Sequence, residues 1–238
     1  MTTLFIADLH LDESRPAIVE SFLEFLAHDA RRSDALYILG DLFETWIGDD
    51  DDAPLAGTVA DALAALGRSG VPISFLHGNR DFLLGENYAR RCGMALLPEH
   101  VVLDIEGRPT LVMHGDTLCT DDVEYVRFRS QSRDPAWQRA VLSGTLPERR
   151  ALAQQARNES ERHTRSAIPT IMDVAPAAVE AMLERSGVTR LIHGHTHRRA
   201  MHALPRARGD AERVVLGDWY ERGSALVVAG PELRFVDV

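Results

Sequence analysis

Aspartate, asparagine and histidine recur in five short motifs of this chain. They are Asp8-Leu9-His10, Gly40-Asp41, Gly78-Asn79-Arg80-Asp81, His114-Gly115-Asp116 and Gly194-His195-Thr196-His197. Carboxylate, amide and imidazole donors together suit hard or borderline divalent cations, and a pair of such cations suits phosphoryl chemistry. Asp8 and His10 are two residues apart, as are His195 and His197, so each pair can face the same way as the chain leaves a strand. Gly40 permits a tight turn ahead of Asp41, whose carboxylate can bridge two ions. The expected arrangement is one ion held by Asp8, His10, Asp41 and His197. A second is held by Asp41, Asn79, His114 and His195. His77 and His193 precede motif glycines and read as packing groups or supports for the ligands. The acidic run 49–52 reads as a solvated loop, because its neighbours share no ligand spacing.

The elements that must position these residues follow from apolar periodicity. Strands are expected over 3–7, 35–39, 72–76, 110–113 and 190–192, each ending just before a motif. That places the motif loops along one sheet edge, where α/β proteins build sites. Ser14 reads as a helix cap and Pro16 as a first-turn residue, with Ile18, Phe22, Phe25 and Leu26 at helical spacing. Further helices are expected over 60–66 and 83–91, and a hairpin joins 101–105 to 110–113. Between 121 and 187 strand signals vanish and helices are expected over 123–130, 135–142, 147–164 and 176–185. Strands return at 190–192, 213–216, 224–228 and 233–236. The last of these follow one another too closely for helical crossovers, so part of the second sheet is expected to be antiparallel. The expected organisation is an α/β core of two sheets from residues 1–120 and 188–238, interrupted by a helical insertion over 121–187.

The chain has 238 residues, 45% of them apolar and 26% charged, enough for one large domain with an insertion. Its net charge of −10 argues against a general nucleic-acid binder. The charge is uneven: from 125 to 166 nine arginines face four acids, a net of +5, which leaves −15 for the rest. A basic segment on an acidic protein points to a local anionic partner, or to a solvated helix surface. Cys92 and Cys119 match neither a zinc knuckle nor a disulfide framework, so a reducing compartment is expected. The amino terminus enters a strand without a basic or apolar leader, and no run of about 18 apolar residues occurs, so a cytoplasmic location is expected.

The five motifs, in this order, resemble the calcineurin-like metallophosphoesterases. Within that superfamily they look like the lipid A pathway branch that cleaves a UDP-linked diacylglucosamine at its diphosphate. The stretches 5–11, 40–44, 78–82, 114–116, 171–174 and 192–198 carry the likeness, which spans the whole chain. The resemblance implies a four-layer α/β/β/α sandwich with a helical lid, two manganese ions (magnesium or another divalent ion being an option) and hydrolysis of UDP-2,3-diacylglucosamine to UMP and 2,3-diacylglucosamine 1-phosphate. Metal-activated water would attack the α-phosphorus. Asn79, Arg80 and His195 would serve catalysis, and Asn79, Arg80, Asp122, Tyr125, Arg157, Ser160, Thr164 and His195 would contact substrate. The apolar residues Phe128, Trp137, Val141, Leu142 and Leu146 would line an acyl pocket. One position departs from the pattern: Ala167 stands where the family usually has lysine, which leaves the exact lipid open.

Arg80 itself bears on the reaction. Most of the superfamily has histidine there, able to give an alkoxide leaving group its proton. Arginine, with a pKa above about 12, cannot be a general acid, but it can hold phosphate oxygens bidentately. A phosphate monoester has a second pKa near ~6 and departs as a stable anion, so Arg80 favours a diphosphate substrate. Two other readings remain at this stage: a nucleotide phosphodiesterase or phosphatase on the same scaffold, and a noncatalytic phosphoesterase-fold scaffold. A lipid-linked substrate further implies weak peripheral contact with the cytoplasmic face of the inner membrane. Oligomeric state is not indicated.

Overall fold

The computed structural model describes residues 1–166, 173–205 and 209–238, apart from the side chains of 161 and 163–166. Six strands form the first sheet: β1 (Thr2–Ile6), β2 (Ala35–Leu39), β3 (Ile73–Leu76), β4 (Met94–Leu96), β10 (Ser224–Ala229) and β11 (Glu232–Asp237), in the order β11-β10-β1-β2-β3-β4. The second contains β5 (His100–Ile105), β6 (Arg108–Met113), β7 (Arg190–His193), β8 (Ala200–Leu204) and β9 (Ala211–Val215), in the order β5-β6-β7-β9-β8. β1, β2 and β3 are parallel, joined by α1 (Pro16–His28) and α2 (Pro54–Arg68), while α3 (Glu86–Cys92) leads to β4. β8 and β9 pair antiparallel, as the short connections require, but the closing β10–β11 hairpin returns to the first sheet beside β1.

Alternation along the strands builds three apolar layers. Leu4 and Ile6 of β1 face α1, α2 and α3 with Phe22, Phe25, Val59 and Leu63. Phe5 and Ala7 face the other way, meeting Val112, Ile192 and Val214 of the second sheet. On that sheet's far side Leu111 and Met113 pack with Val179, Met182 and Leu183 of α7 (Pro176–Ser186). A period of two sends successive side chains to opposite faces, so one strand serves two cores. The result is the four-layer α/β/β/α sandwich.

Four expectations need correction. Ser14 does not cap α1; its hydroxyl turns to Asp12, and Arg15 stands at the cap position without a side-chain cap bond. The helix expected over 83–91 starts only at Glu86, after a turn in which Leu84 N donates to Asp81 O at 2.9 Å. β4 and β8 carry no clear strand signal, because each is a short edge strand supported mainly by its one partner. The sequence pattern groups α7 with the insertion, whereas the structure packs it as the outer layer of the second sheet. The helices that stand apart from the layers are α4 (Val123–Ser132), α5 (Pro135–Leu142) and α6 (Leu146–Ser166).

Candidate metal centre

The loops leaving β1 and β2 stay paired after the strands end. Asp8 N donates to Gly40 O at 3.1 Å, His10 N to Asp41 O at 2.9 Å and Leu11 N to Leu42 O at 2.9 Å. Within this frame Asp8, His10 and Asp41 have φ of 56°, 50° and 52°, and His195 and His197 have 70° and 57°. Among the described residues, five of the six non-glycine residues with positive φ are thus expected cation ligands. Sparsely populated backbone regions cost of order 1–3 kcal/mol each, so they persist only where the surroundings over-determine them. Gly40, at φ +86°, shows how tight those surroundings are: a Cβ there would lie 2.5 Å from Gly78 N and 2.7 Å from His114 Nδ1.

Each carboxylate has one oxygen tied to backbone. Asp8 Oδ2 accepts from His195 N at 2.8 Å, and Asp41 Oδ1 accepts from Arg80 N at 2.8 Å. Their other oxygens face imidazoles. Asp8 Oδ1 is 3.5 Å from His197 Nε2, and Asp41 Oδ2 is 3.8 Å from His10 Nε2 and 3.7 Å from His114 Nε2. His10 Nε2 and His197 Nε2 are 3.3 Å apart. Asn79 Oδ1 lies 3.0 Å from His114 Nε2 and 2.9 Å from His195 Nδ1. All seven expected ligands therefore converge, with Asp41 between the two groups. Asp8 Oδ1 is buried without a hydrogen-bond partner, a costly state for an anionic oxygen unless a cation meets it. The donor set fits divalent ions.

Outer contacts fix the rings. His114 Nδ1 is 2.9 Å from Leu39 O, which assigns it the proton and leaves Nε2 as the free donor atom. His10 Nδ1 lies 3.2 Å from Glu44 Oε2 and His197 Nδ1 3.7 Å from Asp218 Oδ2. Burial alone would raise the Asp8 carboxyl, yet His197, His114 and His10 hold it far below the usual carboxylate range. Burial and then the charge of His114 push His195 down to about 4, so it is a neutral imidazole at neutral pH. Asp81 goes the other way, to about 7, through burial and the charge of Asp41. It braces the loops instead, accepting from Gly78 N at 2.8 Å and Leu42 N at 2.7 Å. His77 and His193 bind carbonyls, of Leu84 at 2.6 Å and Gly194 at 2.8 Å, as supporting groups would.

The signature of calcineurin-like phosphoesterases matches residues 1–199. This chain belongs to the calcineurin-like phosphoesterase family. It is 55% identical over 235 residues to a UDP-2,3-diacylglucosamine hydrolase of Stenotrophomonas maltophilia, covering 96% of this chain and 95% of the relative. It is 56% identical over 235 residues to the protein of the same name from Xanthomonas axonopodis pv. citri, again covering 96% and 95%. A solved archaeal phosphodiesterase shares the fold at a TM-score of 0.51 and 11% identity, with 100% of both chains covered.

Around the converging side chains of this phosphoesterase the remaining expected residues are placed unevenly. Arg80 Nη1 is 4.0 Å from Glu44 Oε1, and its buried Nε has no partner. Arg157 Nε is 3.6 Å from Glu44 Oε1 and its Nη1 is 3.7 Å from Asp12 Oδ2. The Tyr125 ring is 5.7 Å from that of His195, but its hydroxyl donates to Asp116 Oδ2 at 2.6 Å. Asp122 is buried at the start of α4, where its carboxylate caps the helix by accepting from Tyr125 N at 2.9 Å. Ser160 is half-buried on α6, three residues after Arg157. The Thr164 side chain, Ala167 and the 171–172 pair lie outside the described residues.

Sequence reasoning misses the residues that fasten α4–α6 to the core. Arg129 Nε donates to Asp116 Oδ2 at 2.7 Å, and Arg133 Nη2 donates to Gly78 O at 2.8 Å. Arg149 donates to Ile47 O at 2.8 Å and forks onto Asp50 at 2.6 and 2.5 Å, while Arg150 reaches Asp51 at 2.7 Å. Asp49 caps α3 from outside, accepting from Gly85 N at 2.8 Å and Tyr88 N at 3.0 Å. The 49–52 run is thus a set of docking points for arginines and a helix end, not merely a solvated loop. Its signal is charge complementarity with 149–150, which distance in sequence hides.

Proposed function

We propose that this phosphoesterase hydrolyses the diphosphate of UDP-2,3-diacylglucosamine, giving UMP and 2,3-diacylglucosamine 1-phosphate. The observation that carries the reading is the convergence of all seven ligand side chains in a chain whose relatives of that name match it over 96% of its length. Asp8, His10, Asp41 and His197 would hold one divalent ion, and Asp41, Asn79, His114 and His195 the other. We take both as manganese. When bound, such a pair supplies Lewis acidity toward phosphoryl oxygens and a water of lowered pKa.

The chain's own residues do the rest. Arg80 offers a fixed positive charge and an unfilled Nε donor beside the cluster, suited to a phosphoryl oxygen whose charge grows in the transition state. It donates no proton, and a phosphate-monoester leaving group requires none. Arg157, on α6, brings a second guanidinium to the same edge. Tyr125 serves as a ring beside His195, its hydroxyl being committed to Asp116. We take Asp122, Ser160 and Thr164 as the residues nearest the glucosamine phosphate, and α4–α6 as a lid. Its exposed apolar side chains, Val126, Phe128, Leu142 and Leu152 among them, suit acyl chains or a weak contact with the cytoplasmic membrane surface. No helix among the described residues is long and apolar enough to cross a membrane.

Hydrolysis in oxygen-18 water with manganese tests the reading by mass spectrometry. Label is expected in UMP, from attack at the α-phosphorus. Label in the lipid phosphate would refute that site of attack, and no turnover of the UDP-lipid would refute the substrate.

A further inference from the structure

Glu44 lies three residues past Asp41, is 5% exposed, and belongs neither to the ligand set nor to the expected substrate contacts. Its backbone is locked by the same ladder that carries the metal loops, since Glu44 N donates to Leu11 O at 3.1 Å. Its carboxylate therefore has one address. Oε2 faces His10 Nδ1 at 3.2 Å and Arg15 Nη2 at 3.8 Å, and Oε1 faces Arg157 Nε at 3.6 Å and Arg80 Nη1 at 4.0 Å. One buried anion thus touches the back of a candidate ligand and three guanidiniums from three separate segments.

The surroundings are arranged for the same end. Tyr220 stacks on His10 with ring centres 5.1 Å apart and planes 7° apart, and the Arg15 guanidinium lies over the Tyr220 ring at 4.9 Å. Arg15 Nη2 also donates to the His10 carbonyl. Two guanidinium nitrogens of the array, Arg15 Nη1 and Arg80 Nε, are buried without a hydrogen-bond partner. Three cations against Glu44 and the Asp12 that pairs with Arg157 leave the edge positive, with unfilled donors. Like charges this close would separate without an anion among them, and arginines left to themselves would swing toward water. His10 depends on Glu44 differently. The contact at Nδ1 is a charge contact off the ring's hydrogen-bonding line, and it favours the proton on Nδ1 and the lone pair on Nε2, which faces Asp41 and His197.

We propose that Glu44 is a positioning residue that couples the two halves of the site: it orients His10 toward one cation and gathers Arg15, Arg80 and Arg157 into a receptor for a phosphoryl or phosphate group. Arg15 is accordingly a third phosphate-facing arginine. The proposal rests on reading the seven-ligand cluster as a two-cation phosphohydrolase site.

Glu44→Gln keeps the shape and removes the charge. Manganese titration of the metal-free protein, followed by calorimetry, is expected to show one of two sites weakened by about 10- to 100-fold and the other unchanged. KM for the UDP-lipid should rise several-fold, and Glu44→Asp should recover part of both losses. Arg15→Met, at a partly buried position, should raise KM and leave both manganese affinities alone. A Glu44→Gln protein with both affinities and KM within twofold of the parent overturns the proposal. So does a lower melting temperature with both affinities kept, the mark of a merely structural carboxylate. If Glu44→Gln does not fold, an unchanged KM in Arg15→Met overturns it. Manganese affinity is read without substrate, so an enzyme inert toward the UDP-lipid would sink the substrate assignment and leave the His10 result standing.

Discussion

One oxygen of Asp8 is held by the His195 amide at 2.8 Å while the other is buried without a hydrogen-bond partner, a charge that a cation would satisfy. Arg80 complements it from the outside, with its backbone amide on Asp41 and its Nη1 4.0 Å from Glu44 Oε1. Removing the guanidinium should remove charge stabilisation and leave the cluster intact. Arg80→Met is therefore expected to lower kcat by about 10²–10³-fold with melting temperature and manganese affinity unchanged. Arg80→Lys should recover little, because a point charge cannot fork onto two oxygens. A loss confined to manganese affinity would show instead that Arg80 acts only through Asp41. The five ligands in left-handed backbone make a second expectation. Gly40→Ala should leave no stable protein at 37 °C, since its Cβ would strike Gly78 N at 2.5 Å as well as demand φ of +86°. A soluble variant with native melting would contradict that packing.

At the scale of elements, the helical segment is tied down chiefly by arginines, with Phe82 meeting Phe128 of α4 and Trp137 of α5 as an aromatic contact. Arg129, Arg133, Arg149 and Arg150 reach Asp116, Gly78 O, Asp50 and Asp51, at the loops that carry His114, Asn79 and the 49–52 run. Much of the net +5 of residues 125–166 is thus directed inward. A tether of ion pairs yields to salt more readily than an apolar interface does. Arg149→Met should open the start of α6 to proteolysis and leave the layered core uncut, as peptide mapping after brief digestion would show. Protection equal to the parent would mean that the other ties suffice. Asp49 holds α3 by accepting from its first amides, so Asp49→Ala should cost about 1–2 kcal/mol in denaturant unfolding, the usual loss for a helix cap.

For the whole molecule, cation binding would be linked to folding, because the two groups of proposed ligands come from both ends of the chain and meet only in the native state. Manganese at a hundredfold over its Kd should add about 2.7 kcal/mol per site, or roughly 5–10 °C in melting temperature for a protein of this size. Removal by chelator should reverse the shift and abolish turnover. Melting that ignores manganese would show that the seven side chains do not bind it. The exposed apolar residues of α4–α6 and the arginines left facing solvent on that segment lead to one more measurement. Flotation with anionic vesicles should carry the protein at low salt and release it at high salt, and no flotation at either would confine substrate capture to dispersed lipid.

The convergence of the seven side chains was legible because chemistry confines Asp, Asn and His at the buried ends of apolar strands to few uses, and because a period of two marks which strands those are. The layered core was legible for the same reason: apolar alternation reports which faces are covered. Glu44, Arg15, Tyr220 and Asp116 were not, since each looks like an ordinary polar residue until the chain brings its partners from as far as 210 residues away, as with Tyr220 on His10 beside Glu44 and Arg157. Ser14 misled because a hydroxyl can serve a nearby carboxylate as readily as a helix end. Composition and local spacing by themselves determined which atoms could bind cations and which strands would carry them. Only the tertiary structure decided which charges neutralise one another, because Coulomb and hydrogen-bond energies depend on distances in space that no local pattern encodes.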